Sequence, residues 1–112
     1  MIVDWAYIRK GWVSCKKAQK VFEEQQIEVA QIADARKEKI DNDQAWKIIQ
    51  EFETVLIGKG KKVLEFSTDE DNRKEILKAA MGRSGNLRAP SVKLKGKFLI
   101  GYNDEMYGHF EK

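Results

Sequence analysis

The chain has 112 residues and a mass of 13.0 kDa, the size of one domain with a single core, so we expect one domain over residues 1–112. Lysine and arginine total 21 against 18 aspartate and glutamate, and this small, dispersed excess gives no support to direct nucleic-acid binding. A single cysteine, Cys15, excludes an internal disulfide and a cysteine-based metal site.

The first residues contain no basic leader before a long apolar run, and no stretch of about 18 apolar residues occurs anywhere. We therefore expect a cytoplasmic protein that does not contact a membrane. The composition also predicts neither a metal ion nor another bound cofactor.

The N-terminal part is expected to form a βαβ unit. Residues 2–8 are a nearly continuous apolar run, which is typical of a central strand buried on both faces. Apolar residues then recur at the spacing of one helical face, at Cys15, Ala18, Val21 and Phe22. Residues 27–32 predict a second short strand, joined to the first by a right-handed crossover.

The middle of the chain is expected to be mostly helical. From Asn42 one apolar stripe predicts a helix that Gly58 and Gly60 end. The stripe consists of Ala45, Trp46, Ile48, Ile49, Phe52, Val55 and Leu56. Residues 63–66 indicate at most a short strand.

A capping box begins the C-terminal part. In residues 67–70 a hydroxyl and a carboxylate three positions apart predict the start of a helix that continues to about Ala80. A polar loop over residues 82–90 follows. Residues 92–100 predict a β-hairpin, and residues 103–110 a capped final helix.

Two segments resemble the thioredoxin-like superfamily. The first βα turn contains Ser-Cys-Lys-Lys-Ala at residues 14–18, which resembles the Cys-x-Ser-Cys-Lys/Arg-Lys-Ala motif of Spx and related arsenate-reductase-like proteins. Trp12 stands where the first cysteine of that motif belongs. Residues 88–105, which contain Pro90, the only proline, resemble the cis-proline hairpin and acidic final helix of glutaredoxins and arsenate-reductase-like proteins.

The resemblance implies an α/β fold of the thioredoxin-like, three-layer kind. It would combine the βαβ unit with a C-terminal hairpin and a final helix, and further helices would be inserted between the two motifs. It also implies a cis peptide bond between Ala89 and Pro90, with Pro90 close to Cys15.

The motif chemistry leaves three interpretations open. A dithiol oxidoreductase needs a thiolate at a helix start and a second thiol one turn inward, and only the second, Cys15, is present. In the first interpretation Trp12 is native and the domain is redox-silent. In the second, Cys15 itself is the working thiol, assisted by Lys10, Lys16 and Lys17. In the third, position 12 is natively selenocysteine, encoded by UGA, and tryptophan replaces it.

The resemblance also implies a substrate site. Lys10 and the helix amides would stabilise an anion at the helix start, while Ala89 and Pro90 would dock the main chain of the substrate. Arg83 and Arg88 would bind an anion such as a glutathione carboxylate or an oxyanion. Arsenate itself is not expected, because in arsenate reductases the arginine directly precedes the proline.

The favoured hypothesis is a glutaredoxin-like thiol or selenol/disulfide oxidoreductase in which position 12 attacks and Cys15, a buried and slowly alkylated thiol, resolves. Its substrate would be a protein disulfide or a glutathione mixed disulfide, and its electron donor glutathione or a dithiol protein. With Trp12 in place, the chain is then weakly active or inactive. The alternative is a redox-silent binding module of the Spx type, with RNA polymerase or another protein as its partner.

Overall fold

Four α-helices, a short 3-10 helix and eight strands make up the part of the chain that the computed structural model describes, namely residues 2–82, 85–94 and 96–108. The N-terminal elements are β1 (Ile2–Val3), β2 (Trp5–Ile8), α1 (Val13–Glu24), β3 (Glu28–Val29), β4 (Ile32–Asp34) and α2 (Asn42–Ile49). The later elements are β5 (Thr54–Lys59), β6 (Lys62–Ser67), the 3-10 helix (Glu70–Asn72), α3 (Arg73–Ala80), β7 (Ser91–Leu94), β8 (Lys97–Ile100) and α4 (Asp104–Tyr107).

Six strands form one mixed sheet in the order β4-β2-β7-β8-β5-β6. Strand β2 runs parallel to β4 and antiparallel to β7, and β8 runs antiparallel to β7 and parallel to β5. Strands β5 and β6 form an antiparallel hairpin at one end of the sheet. The domain is therefore a mixed α/β structure, and the expected βαβ unit is confirmed.

The single strand expected over residues 2–8 is interrupted at Asp4. Strand β1 pairs with β3 in a separate two-stranded parallel sheet, whereas β2 belongs to the large sheet. The Asp4 side chain is exposed and its N–H donates to Lys93 O at 3.0 Å. A polar residue thus separates two short strands that have different partners.

Helices cover both faces of the large sheet. Ala6 and Ile8 of β2 lie beside Phe22 of α1, so α1 covers that face. Tyr7 points to the opposite face. The residues paired across the sheet from Tyr7 lie on the same face, and this row ends at Leu64 of β6. Leu64 shares a groove with Ala79 of α3, so α3 covers the second face.

The long helix expected from Asn42 ends at Ile49, and its second half was predicted wrongly. Residues 54–59 form strand β5, in which Val55, Leu56 and Ile57 are all buried. A strand covered on both faces is apolar at successive positions, so some of its residues also fall at the spacing of a helical face. Gly60, with φ +60°, is the first residue of a two-residue hairpin turn rather than a helix stop.

The capping box expected at residues 67–70 does not form. Ser67 ends β6, the hydroxyl of Thr68 donates to Phe52 O, and no side chain caps the 3-10 helix that follows. A capping box is present instead at α2, where Gln44 N donates to Asp41 Oδ1 at 2.9 Å and Asp41 N donates to Gln44 Oε1 at 3.1 Å. This cap was not predicted from the sequence.

The C-terminal predictions are confirmed as far as the described residues reach. Strands β7 and β8 form the expected hairpin, and the peptide bond between Ala89 and Pro90 is cis. The Asn103 side chain caps α4 by accepting a hydrogen bond from Met106 N at 3.1 Å. The turn residue Lys95 and the end of the predicted helix, with Phe110, lie outside the described residues.

None of the helices in the described ranges is both long and apolar enough to cross a membrane.

Candidate functional site

Trp12 occupies the N-cap position of α1. Its backbone is extended (φ −80°, ψ 138°) and its side chain is 47% exposed. The Arg9 guanidinium carbon lies 4.3 Å from the centroid of the indole, a cation–π contact. Position 12 is thus accessible to solvent and already has a cation beside it.

The surroundings of this helix start are positively charged. The first turn of α1 contains no acidic residue, and Lys16 and Lys17 are exposed there. No side chain caps the free amides, so they add to the positive end of the helix dipole. The predicted anion ligand Lys10 is exposed in the preceding turn and does not line the neighbouring cleft. Arg9 lies there in its place.

Cys15 lies one turn further into α1 and is 1% exposed, which confirms the expected burial. Burial raises the pKa of the Cys15 thiol, while a hydrogen bond from Arg9 N at 3.2 Å and the positive charge of Arg9 lower it in part. A protonated, buried thiol is a poor nucleophile. This environment suits a resolving thiol or a core residue better than an attacking thiolate.

A cleft of about 350 Å³ opens between the start of α1, the end of β2 and the loop that precedes β7. Its lining consists of Tyr7, Arg9, Trp12, Ala35, Lys39, Gly82, Asn86, Leu87, Arg88 and Ala89. Three of these residues are basic and none is acidic. The cleft therefore brings the two sequence motifs together, and its charge suits an anionic ligand.

Ala89 lines this cleft. Neither its N–H nor its carbonyl oxygen makes a hydrogen bond with any described residue, although Ala89 is buried. The next carbonyl, that of Pro90, accepts from Gly101 N at 2.7 Å. Buried backbone groups are normally paired, so the peptide edge of Ala89 is suited to hydrogen bonds with the main chain of a bound molecule.

Arg88 lines the cleft, but its guanidinium is engaged elsewhere. Nη1 donates to Ala79 O at 3.1 Å, and a Cβ placed on Gly101 would come within 2.8 Å of Nη2. Burial lowers the pKa of Arg88. Arg88 therefore hydrogen-bonds to the end of α3 and lies close to the turn after β8. The other predicted anion ligand, Arg83, lies outside the described residues.

Arg9, Tyr7 and Lys39 are among the cleft residues that were not identified from the sequence. Arg9 directly follows β2. Its position three residues before Trp12 was the sequence signal that could have identified it as a cation beside position 12. The Tyr7 hydroxyl donates to Glu38 O, and burial together with the Glu38 charge raises the pKa of Tyr7. Lys39 reaches the cleft from the loop before α2, for which the local sequence gave no signal.

No protein-family model matches this chain, and no curated protein shows significant similarity to it. The described residues also contain no group of three or more histidine, cysteine, aspartate or glutamate side chains placed to hold a metal ion. The motifs and the geometry of the cleft are thus the basis for assigning a function.

Proposed function

We propose that this domain is a glutaredoxin-like thiol or selenol/disulfide oxidoreductase with a thioredoxin-like fold. Position 12 is the attacking position and Cys15 resolves. The observation that carries the proposal is the arrangement around the cleft. Position 12 is exposed at a basic helix start and borders the cleft, and Cys15 lies one turn inward. The peptide edge of Ala89, in the loop before β7, borders the same cleft.

The sheet supports the fold part of the proposal. Strands β4, β2, β7 and β8 have the order and directions of the four-stranded core of thioredoxin-like proteins, with α1 connecting β2 to β4 and α4 following β8. The β5–β6 hairpin, together with α2 and α3, is then an insertion between the βαβ unit and the C-terminal hairpin. Function does not follow from a fold alone, so the chemistry is argued from the cleft.

The reaction has two exchange steps. A thiolate or selenolate at position 12 attacks one sulfur of a substrate disulfide, forms a mixed disulfide or selenylsulfide, and releases the other substrate sulfur as a thiolate. Cys15 then loses its proton to the departing thiolate and attacks the atom at position 12. The second half of the substrate leaves reduced, and the 12–15 bond closes. Glutathione or a dithiol protein returns the two electrons.

The residues of the cleft have separate parts in this scheme. Arg9 and the uncapped amides at the start of α1 stabilise the anion at position 12. They do so before it attacks the substrate and again when reduction of the 12–15 bond releases it. The peptide edge of Ala89 holds the main chain of the substrate beside that atom. Arg9 and Lys39 attract a carboxylate such as those of glutathione.

Tryptophan at position 12 cannot carry out the first step, because indole is neither nucleophilic nor ionised near neutral pH. The proposal therefore concerns a chain that carries selenocysteine or cysteine there, and the Trp12 form is inactive or weakly active. The codon for residue 12 distinguishes the two cases, since UGA supports the oxidoreductase and UGG a native tryptophan.

The direct test is Trp12→Cys. We expect this variant to form a reversible disulfide with Cys15, to show a measurable dithiol reduction potential, and to reduce a glutathione mixed disulfide faster than the parent. Trp12→Ser is the matched control for loss of the indole, and Trp12→Cys combined with Cys15→Ser is the control for the resolving thiol. A folded Trp12→Cys variant that neither forms the disulfide nor outperforms the parent overturns the redox proposal.

One observation favours the second candidate function, a redox-silent binding module. Trp12, which lines the cleft, and the next residue Val13, which is 67% exposed, are consecutive solvent-facing apolar residues. Such a pair is suited to a protein contact, with RNA polymerase or another protein as the partner. A UGG codon together with an inactive Trp12→Cys variant would support this function.

A further inference from the structure

Strand β6 forms one edge of the large sheet. It is the outermost strand, and its six residues pair with β5 without a bulge. The two-residue turn closes on the pair Lys59 and Lys62, so the outward backbone groups belong to Val63, Glu65 and Ser67. Of these groups, the Ser67 carbonyl already accepts a hydrogen bond from Asn72. Those of Val63 and Glu65 bond to no described residue.

The apolar side chains of this strand are incompletely covered. Leu64 and Phe66 are half-buried and line a groove of about 460 Å³, together with Ala79 and Met81 near the end of α3. A long edge strand with exposed apolar side chains is a template for pairing with another strand. This edge lies at a different place in the sheet from Trp12 and Ala89, so the inference does not depend on the proposed function.

Charges of opposite sign lie at the two ends of β6. Lys59, Lys61 and Lys62 are exposed at its start, and Asp69, Glu70 and Asp71 are exposed just beyond its end. Glu70 lies 3.8 Å from Arg73, whereas Asp69 and Asp71 form no ion pair with the described residues. An identical strand laid alongside in the antiparallel direction would bring the lysine-rich end of each copy near the acidic end of the other.

We propose that two copies of this chain dimerise by antiparallel pairing of their β6 strands. The occupant of the edge is a second copy because the charge pattern is complementary to itself, and parallel pairing would place like charges together. The interface extends the six-stranded sheet continuously across the dimer.

We place the two-fold axis at Leu64, a register in which no like charges oppose each other. A two-fold axis perpendicular to the sheet requires residues of the same face to oppose each other. With the axis at Leu64, this leucine opposes its own copy, Val63 exchanges backbone hydrogen bonds with Glu65, and Lys62 opposes Phe66. Moving the axis one residue towards the acidic end puts Glu65 opposite Glu65, which like-charge repulsion disfavours.

Charge reversal at the two ends of β6 tests the pairing. The wild-type chain should sediment above 13.0 kDa, towards twice that mass, as concentration rises at low salt. Lys61→Glu/Lys62→Glu and Asp69→Lys/Asp71→Lys should each weaken self-association at least tenfold. An equimolar mixture of the two variants should restore it, because a mixed pair has opposite charges at both ends.

A wild-type mass that stays at 13.0 kDa up to about 1 mM overturns the proposal. A mixture that associates no better than its components also overturns it. If an unrelated extended peptide binds at β6 and the chain does not self-associate, the proposed dimer is wrong and the edge binds a foreign strand instead.

Cross-linking tests the register. Residues opposed at a non-hydrogen-bonded antiparallel position have Cα atoms about 4.5 Å apart, which a disulfide spans. In a Cys15→Ala background, Leu64→Cys should therefore give a covalent dimer on mild oxidation. Ile32→Cys in the same background is the control, since Ile32 is 60% exposed on β4 at the opposite edge. Equal cross-linking of both variants, or none at Leu64→Cys, contradicts the proposed register.

Discussion

Trp12 and Cys15 lie three residues apart at the start of α1, yet their environments are opposite. The indole is 47% exposed beneath a guanidinium, whereas the thiol is 1% exposed and accepts a hydrogen bond from Arg9 N. The helical period predicted this difference, because Cys15 shares a face with Ala18 and Phe22. It could not predict that Arg9 contributes to both environments, because that requires the geometry of the turn between β2 and α1.

The buried thiol should make stability depend on pH. Burial raises the pKa of Cys15, so above about pH 8.5 the unfolded chain loses this proton first. The contribution of the protonated thiol is complete below that pH and is lost as pH rises through the folded pKa. Between about pH 8.5 and 10 we expect the free energy of unfolding to fall more steeply for the wild type than for Cys15→Ala.

Urea unfolding at a series of pH values measures these slopes, and tyrosine ionisation sets the upper limit of the range. Parallel curves for the two proteins would contradict the expectation. Alkylation provides a separate measurement, since the folded thiol should react slowly with iodoacetamide at neutral pH. Rapid labelling would instead make Cys15 the working thiol.

At the scale of elements, sequence patterns identified α1, α2 and the β7–β8 hairpin because each has a clear period or turn signal. They failed at β5. Val55 and Leu56 happened to continue the stripe of α2, and a strand buried on both faces has no alternation that would reveal it. The β-branched residues Thr54, Val55 and Ile57, followed by the Gly60-Lys61 turn, were the available signal.

The cap of α2 should be a measurable source of stability. Asp41 accepts from Gln44 N, and the Gln44 side chain accepts from Asp41 N in return. Asp41→Ala removes this acceptor and should lower the free energy of unfolding by about 1 kcal/mol. Asp69→Ala is the matched control, because Asp69 also precedes a helical segment but makes no side-chain cap bond. Urea unfolding should show a change within about 0.5 kcal/mol for the control.

At the scale of the whole molecule, the β5–β6 hairpin is part of the main core. Strand β5 lies between β6 and β8, and its parallel partner β8 comes about 40 residues later in the chain. The cleft likewise joins the end of β2, the loop before α2 and the loop before β7. Local patterns contain no information on such pairings, so the resemblance predicted which two motifs meet but not the added strands or Lys39.

Replacing two isoleucines on different strands by alanine should show that β5 belongs to the core, because only the buried isoleucine should contribute strongly to the free energy of unfolding. Ile57 of β5 is fully buried and Ile32 of β4 is largely exposed. Ile57→Ala should cost about 2–5 kcal/mol of unfolding free energy, because it leaves a cavity between strands and helix. Ile32→Ala, the same chemical change, should stay within about 0.5 kcal/mol. Similar losses in guanidinium unfolding would mean that the hairpin packs outside the main core.

The three tryptophans differ in their access to water, and this gives the molecule an intrinsic fluorescent reporter. Trp46 is 3% exposed, Trp5 is half-buried, and Trp12 is the one that borders the cleft. A molecule that fills the cleft removes water from the indole of Trp12 and leaves the other two unchanged. The fluorophore that reports occupancy therefore stands at the position proposed for the chemistry, so the form of the chain with tryptophan at position 12 is the one in which ligand entry can be followed by emission without a label.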